Sequence, residues 1–185
     1  MSVYKKENPE YLRASLESVL VQTRTADEIL LIEDGPLTQE LYQVVAEYQK
    51  KCDYLHVHAM EQNVQLGRAL AKGVELCQYD LIARMDTDDI AMPDRLEKEE
   101  AYMEAHPEVD VVGGAIREFN DEGTIDRVKN MPKTQEEILE YVKVRNPLNH
   151  MTVMYRKDSI LKAGNYKHFP FLEDYSLSVS YTHLT

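Results

Sequence analysis

The sequence predicts an α/β protein whose mostly parallel sheet is flanked by helices. Short apolar runs alternate with longer amphipathic segments along the chain, and neither a repeat of fixed period nor an interdomain linker interrupts them. The 185 residues, 43% hydrophobic and 29% charged, suffice for one domain with a sizeable core and exclude disorder as the main state. No stretch approaches the about 20 apolar residues of a transmembrane helix.

The strands are predicted from the short apolar runs. The run at 28–33 is continuously apolar between its flanking glutamates, which is typical of a strand buried on both faces, whereas 55–59 alternates. The strand-like segment 109–119 is broken by Gly113-Gly114. The predicted strands are 2–4, 28–33, 55–59, 79–85 and 109–119.

The helices are predicted from apolar side chains at helical spacing and from residues that favour helix starts. Asn8 suits the cap of the first helix, Pro9 is tolerated at its first position, and Thr134 suits the cap of the last. The predicted helices are 9–20, 38–51, 67–77, 93–106 and 134–144.

The charge and the cysteine content limit the classes of function that the chain can have. A net charge of −12, from 33 acidic and 21 basic residues, argues against a nucleic-acid partner, because such proteins need a basic surface. Acidic excess usually serves solubility, but it also fits carboxylates that hold a metal against a phosphate-bearing substrate. Cys52 and Cys77 are too few for a disulfide scaffold, so we expect reduced thiols in a cytoplasmic protein without a signal peptide.

Acidic residues follow two of the predicted strands, at the end where open α/β sheets bind ligands. Asp34 follows the second strand, and Asp86, Asp88 and Asp89 place three carboxylates within four residues after the fourth. Such like charges repel and raise one another's pKa values, and a divalent cation would remove the repulsion. The alternative is an acidic turn that caps the next helix through Asp89 or Asp94. The pattern alone leaves both open.

Several segments, taken in order, resemble the motifs of the family 2 glycosyltransferases, which have the GT-A fold. The central one is 82–96, which carries the Asp-x-Asp sequence. The resemblance runs from Met1 to about Tyr175 and implies a single, Rossmann-like GT-A domain of the nucleotide-diphospho-sugar transferase type. The other segments are 2–8, 15–23, 28–35, 149–156 and 171–175.

The resemblance also has departures. Gln65 and Ala71 stand where the family usually has Gly and Asn. The first strand begins as if residues before Met1 were absent. We expect a catalytic domain over 1–177 that is C-terminally incomplete, followed by a tail, 178–185, that does not match the family. Residues after about Tyr175 are expected to be poorly ordered or irregularly packed.

The resemblance implies an inverting, divalent-metal-dependent transfer of sugar from a nucleoside-diphosphate sugar, expected to be a UDP-sugar. Asp88 would be the main ligand of Mn²⁺ or Mg²⁺, and Asp86 would contact the ribose or share the metal. Asp89 would only orient the loop.

The resemblance also implies a nucleotide site. Asp34 would recognise the base, Tyr4 would flank it, and Ser2 and Val3 would supply backbone groups. The alternatives are a turn at 33–36 and a buried strand end.

The resemblance implies that Asp174 is the general base that deprotonates the acceptor hydroxyl. Glu173 would orient it or contact the acceptor, His150 would contact the acceptor or a phosphate, and Arg84 would pair with the acidic loop. The alternative for Glu173 and Asp174 is a helix start, where acidic residues are favoured.

The implied acceptor is a glycan or a lipid-linked acceptor in cell-surface polysaccharide biosynthesis. The implied location is the cytoplasm, with peripheral association of the full-length protein at the inner face of the membrane. Two alternatives remain. One is a truncated, non-catalytic domain that binds a sugar nucleotide. The other is an aspartate-dependent phosphotransferase, which would need an aspartate after the first strand, where this chain has Tyr4-Lys5-Lys6.

Overall fold

A computed structural model describes residues 1–120, 124–169 and 172–182. The strands are β1 (Ser2–Val3), β2 (Ile29–Glu33), β3 (Leu55–Ala59), β4 (Leu81–Ala83), β5 (Val111–Val112), β6 (Ile116–Phe119), β7 (Asp126–Lys129) and β8 (Met154–Arg156). The helices are α1 (Pro9–Leu20), α2 (Gln39–Lys51), α3 (Leu66–Leu76), α4 (Arg95–Ala105), α5 (Gln135–Tyr141), α6 (Lys157–Lys162) and α7 (Glu173–Thr182).

The strands form one parallel sheet, one antiparallel sheet and a hairpin. The parallel sheet has the order β1-β2-β3, with Ser2 opposite Ile32 and Ile29 opposite Leu55. β4 pairs antiparallel with β8, which also pairs with β5, while β6 and β7 form the hairpin. The α/β class is confirmed. The alternation of strands and helices did not predict that β4 would take an antiparallel neighbour from much later in the chain.

Two apolar cores hold these layers together. One lies between the parallel sheet and helices α1 and α2, and the other surrounds β8, α3 and α7. The first includes Val3, Leu12, Leu16, Leu31, Leu41, Val44 and Tyr48. The second includes Leu70, Val74, Val153, Tyr155, Ile160, Tyr166 and Leu177. Burying one such side chain contributes roughly 1.5–3 kcal/mol.

The predicted helix caps are confirmed. The Asn8 side chain accepts a hydrogen bond from the Glu10 N–H at 2.9 Å. Thr134 forms a reciprocal capping box with Glu137, in which each side chain accepts from the other residue's backbone N–H. Polar residues that accept from free N–H groups therefore fix the starts of α1 and α5.

The expectation of an irregular end after about Tyr175 is wrong over the described residues. The chain forms α7, in which Leu177 and Ser178 are buried. Leu177 joins the second core, and the Ser178 hydroxyl donates to Asn146 Oδ1 at 3.0 Å. Burial against α3 and β8 orders this segment although its sequence departs from the family. Phe171 and residues 183–185, which the sequence analysis also discussed, lie outside the described residues.

Within the described part of the chain, no helix combines the length and hydrophobicity needed to cross a bilayer.

Candidate active site

The ends of β1, β2 and β4 meet at one edge of the fold. The backbone N–H of Asp34, just after β2, donates to the Val3 carbonyl at 2.8 Å. Thr87, in the loop after β4, donates its hydroxyl to the Ser2 carbonyl at 3.3 Å and to Glu7 at 2.7 Å. Residues distant in sequence therefore meet at the carboxyl ends of the strands, where the sequence analysis expected the ligand site.

An acidic cluster lies at this edge. One carboxylate oxygen from each of Asp86, Asp88 and Asp89 lies within 4.8 Å of those of the other two. Asp88 is exposed, and the other two are half-buried. The sequence analysis named Asp86 and Asp88 as expected metal ligands, and in the structure Asp89 lies beside them. Hard oxygen ligands at this separation suit Mg²⁺ or Mn²⁺.

The negative charges of the cluster are unfavourable in their surroundings, as the pKa values of two members show. Burial, followed by the charges of Asp86 and Asp88, raises the pKa of Asp89 to about 6. Burial, then Asp86 and Glu7, also raises the pKa of Asp88. Both shifts have the sign expected for carboxylates that lose contact with water beside other carboxylates.

The capping alternative is not supported by the helix geometry. Asp94 occupies the N-cap position of α4, yet its side chain makes no capping hydrogen bond. It pairs instead with Lys98 at 2.5 Å. The three carboxylates of the acidic cluster precede this position and do not cap α4.

Arg84 is the buried cation beside the cluster. Its guanidinium forms an ion pair with Asp86, as the sequence analysis expected, and the residue is 5% exposed. Burial lowers the pKa of Arg84, but the charge and hydrogen bond of Asp86 outweigh it and leave the pKa above the ordinary value. Arg84 pairs with one of the three carboxylates, and the charges of Arg84 and Arg95 offset only part of the rise in the pKa of Asp89. Among the described side chains, the Arg84 Nε is also one of the buried polar atoms without a hydrogen-bond partner.

Three buried polar side chains, two from α1 and one just after its end, hold the loop that carries the cluster. Ser15 Oγ donates to the Asp86 carbonyl at 2.8 Å, and Ser18 Oγ accepts from the Ala91 N–H at 3.0 Å. The Gln22 amide donates to the Met92 carbonyl at 2.8 Å and accepts from the Leu96 N–H at 3.1 Å.

The sequence analysis missed the role of this seam, defined as Ser15, Ser18 and Gln22. Ser15 and Ser18 lie three apart on the buried face of α1, next to the apolar residues Leu12 and Leu16, and Gln22 follows just after the helix end. Polar residues on the buried face of a predicted helix were the available signal. Buried polar groups need partners, and here the partners are the backbone of the acidic loop.

Asp34 lies at the same edge but is already engaged. It is 5% exposed, its Oδ1 accepts from the Val64 N–H at 2.6 Å, and its Oδ2 accepts from the Asn63 amide at 2.9 Å. Gly35 has φ +82°, and a Cβ there would lie 2.5 Å from the Asn63 nitrogen. Asp34 therefore begins the predicted turn and fixes the loop at 63–64.

The other proposed nucleotide residues take different positions around β1. Val3 is fully buried, Ser2 is half-buried, and Tyr4 is 44% exposed. Ser2 and Val3 offer backbone groups at the strand end, whereas the Tyr4 ring is accessible for stacking.

His150 belongs to a buried polar group near Arg84. Its Nε2 lies 2.8 Å from the Tyr166 hydroxyl, and the two rings pack edge to face at 5.3 Å. Burial, helped by the Arg84 charge, lowers the pKa of His150 well below 6.5. The imidazole is therefore neutral at physiological pH and acts through hydrogen bonds rather than charge.

Glu173 and Asp174 form the first turn of α7, so the helix-start interpretation is confirmed for both. Asp174 Oδ2 accepts from the Asn146 amide at 2.9 Å, and its Oδ1 accepts from the Tyr175 N–H at 2.7 Å. A Cβ on Gly67 would lie 3.2 Å from the Glu173 Cβ. The start of α7 is thus packed against the start of α3.

The fold and the acidic loop are those of a known class of enzymes. Residues 1–167 match the family described as glycosyl transferase family 2, and the chain belongs to that family.

Relatives of known name share this region. The chain is 44% identical over 177 residues to the amylovoran biosynthesis glycosyltransferase AmsE of Erwinia amylovora, covering 96% of this chain and 66% of that protein. It is 33% identical over 183 residues to the UDP-Gal:alpha-D-GlcNAc-diphosphoundecaprenol beta-1,3-galactosyltransferase of Escherichia coli, covering 96% and 64%. The chain therefore spans about two thirds of the length of these relatives.

Solved structures confirm the GT-A fold. S. aureus TarS 1–349 superposes with a TM-score of 0.74 at 18% identity, covering 98% of this chain and 54% of that one. The mannosyltransferase PcManGT of Pyrobaculum calidifontis, in complex with GDP-Man and Mn²⁺, gives 0.64 at 12% identity, covering 90% and 46%.

Proposed function

We propose that this chain is the donor-binding and catalytic domain of an inverting glycosyltransferase that uses a UDP-sugar and a divalent metal. The observation that carries the proposal is the acidic cluster of Asp86, Asp88 and Asp89 at the edge where β1, β2 and β4 end. Family membership supports it, as do relatives named for amylovoran biosynthesis and for transfer from UDP-Gal.

The nucleotide would lie along the strand ends. Asp34 is the proposed base-recognising residue, and Tyr4 has the exposure needed to flank a ring. Since both Asp34 oxygens already accept a hydrogen bond, the base would share an oxygen that keeps a second lone pair. Ser2 and Val3 would supply backbone groups.

The donor atoms of the acidic cluster fit Mn²⁺ or Mg²⁺, with Asp88 and Asp86 as the principal ligands. When bound, the metal offsets the negative charge that gathers on the leaving diphosphate. The chain's own contribution is to hold its ligands in place: Arg84 pairs with the Asp86 carboxylate, and Ser15 binds the Asp86 carbonyl.

The acceptor side is assigned to the start of α7. Asp174 is the proposed general base, and Asn146 and the helix start orient its carboxylate. Glu173 beside it would orient or contact the acceptor. The neutral His150 would hydrogen-bond the acceptor or a phosphate.

The acceptor class is a glycan or a lipid-linked acceptor, because the E. coli relative is named for a diphosphoundecaprenol-linked one. We place the full-length protein in the cytoplasm, with peripheral association at the inner membrane face. Fractionation of expressing cells tests this, and recovery of the full-length protein outside the cytoplasmic and membrane fractions would contradict it.

Calorimetry of UDP binding with Mn²⁺ or with EDTA tests the donor site. We expect tighter binding with the metal, because the ion is shared between the acidic cluster and the diphosphate. Equal affinity in both buffers would refute metal-coupled binding. The alternative is a domain that binds the nucleotide without turnover, which matters because the chain covers only about two thirds of its relatives. Measured turnover of a UDP-sugar would distinguish an enzyme from such a domain.

Asp174→Asn tests the general base. The substitution keeps the size and removes the basicity, so we expect unchanged UDP affinity and a transfer rate lowered by roughly 10²–10⁴-fold. Because the chain spans about two thirds of the length of its relatives, the rate is measured in a protein that spans their whole length. A rate within a few-fold of wild type would remove Asp174 from the mechanism.

A further inference from the structure

One contact between side chains joins the loop after β1, residues 4–8, to the acidic loop, residues 86–89. Glu7 Oε2 accepts from the Thr87 hydroxyl at 2.7 Å, across 80 positions of the sequence. Thr87 stands between Asp86 and Asp88. In the part of the chain that the structure describes, no other hydrogen bond or ion pair joins these two loops.

The contact has the geometry of a strong hydrogen bond. A hydroxyl has one hydrogen, and the Glu7 oxygen lies closer to it than the Ser2 carbonyl, which is 3.3 Å away. Hydroxyl groups at this distance from a carboxylate bind roughly twice as strongly as they bind a neutral acceptor. Thr87 is 3% exposed, so water competes little for its hydrogen.

Neither loop needs this contact to keep its own shape. In the loop after β1, the Glu7 N–H donates to the Tyr4 carbonyl at 3.0 Å, and Glu7 Oε1 accepts from the Asn8 N–H at 2.8 Å. The acidic loop is held by the seam described above. The Glu7–Thr87 contact therefore fixes how the two loops sit relative to each other.

The two loops carry opposite ends of the proposed donor site. Tyr4 would flank the base, while Asp86 and Asp88 would hold the metal that the diphosphate shares. A ligand that touches both loops gains fully from its second contact only if the loops already stand at the distance that the ligand spans. The inference that follows rests on this proposed function.

We propose that Glu7 and Thr87 are positioning residues that couple binding of the nucleotide base to binding of the metal and diphosphate. Their hydrogen bond holds the loops so that UDP reaches Tyr4 and the metal at the same time. Without it, each loop would still bind its own end of UDP, but binding at one end would no longer prepare the other.

Thr87→Val tests the coupling, because valine has a similar shape and lacks the hydroxyl. Calorimetry measures the affinity for UDP with Mn²⁺, for UDP with EDTA, and for Mn²⁺ alone. We expect the gain in UDP affinity that Mn²⁺ gives to fall about tenfold, while the other two affinities stay within about threefold of wild type. Thr87→Ser keeps the hydroxyl and should retain the wild-type gain.

Three results would overturn the coupling while the proposed function stands. They are an undiminished gain in Thr87→Val, an equal fall in all three affinities, and a loss in Thr87→Ser as large as in Thr87→Val. If Mn²⁺ gives no gain in the wild-type protein, the proposed metal-coupled donor site is itself refuted, and the coupling with it.

Glu7→Ala tests the contact from the other side and replaces Thr87→Val if that variant does not fold. It removes the acceptor, so the Mn²⁺-dependent gain should again fall about tenfold. Glu10→Ala, on the exposed side of α1, removes an equal charge without touching the acidic loop and should keep the gain. Equal gains in these two variants would overturn the proposal.

Discussion

The acidic cluster and the β6–β7 hairpin both bring charged side chains close together, but they treat the charge in opposite ways. In the hairpin, Arg117 pairs with Asp126 at 2.6 Å, and Arg127 pairs with Glu118. These pairs are mostly exposed; for the first, the side chains are 67% and 53% exposed. In the cluster, three carboxylates face one buried Arg84.

The difference separates charges that compensate each other from charges that do not. The hairpin carries opposite charges that compensate each other, and the Arg117 contact lowers the pKa of Asp126. The cluster is undercompensated, and the pKa values of Asp88 and Asp89 rise. A divalent cation at the proposed site would relieve this repulsion. Carboxylates with shifted pKa values in a loop that is already ordered indicate a functional site better than a high density of charge does.

The largest effect is expected from Asp88→Asn. The change removes one of few hard oxygen ligands, so the Mn²⁺-dependent gain in UDP affinity should fall about 100-fold or disappear. The matched control, Asp126→Asn in the hairpin, should leave that affinity unchanged. Calorimetry with and without Mn²⁺ measures both variants. Equal losses in the two would mean that the cluster has no special role.

The pH dependence should come next in size. Mn²⁺ competes with protons for the cluster, and because the pKa of Asp89 is about 6, affinity should fall by up to about tenfold per pH unit below that value. In the absence of metal, the stability of the fold has the opposite pH dependence: it falls as pH rises. A folded pKa above the reference value of 3.8 contributes stability below pH about 4, which is lost as pH rises through about 6.

Asp89→Asn is the control for this pH dependence. It should flatten the metal-free dependence of unfolding between pH 4 and 6, as followed by denaturant titration. A profile identical to wild type would show that Asp89 does not titrate there.

A smaller effect is expected from Gln22→Leu, which keeps the side chain buried but leaves the Met92 carbonyl and the Leu96 N–H without their partner. We expect a loss of about 1–3 kcal/mol in the free energy of unfolding. Mn²⁺ affinity should fall as well, because the loop loses an anchor. Gln43→Leu, on the exposed face of α2, should change stability by less than about 0.5 kcal/mol. Equal losses in the free energy of unfolding of the two variants would contradict this prediction.

The smallest effect is expected from Arg117→Gln in the hairpin. An exposed ion pair loses most of its attraction to solvent screening, so Tm should change by no more than about 1 °C. Mn²⁺ and UDP affinities should stay at wild-type values. A large loss of stability would mean that the hairpin is held by more than the exposed contacts of its side chains.

Several features of the fold could be predicted from local patterns. The caps at Asn8 and Thr134 follow from side-chain chemistry within one turn, and the break at Gly113-Gly114 correctly separated β5 from β6. β7 and α6 were not predicted, because they are short and β7 is exposed along its length, so neither carries a strong hydrophobic period. The chain after about Tyr175 was predicted as irregular, although it continues α7 and burial of Leu177 against distant elements orders it.

The sequence by itself determined the α/β class, the acidic loop after β4 and the family, because each depends on neighbouring residues. Only the tertiary structure decided that Asp89 joins Asp86 and Asp88, that Arg84 is buried beside them, and that the α1 seam holds their loop. The contacts that hold the loop join residues about seventy positions apart. Such contacts follow from which surfaces exclude water together, and a local pattern does not encode that choice.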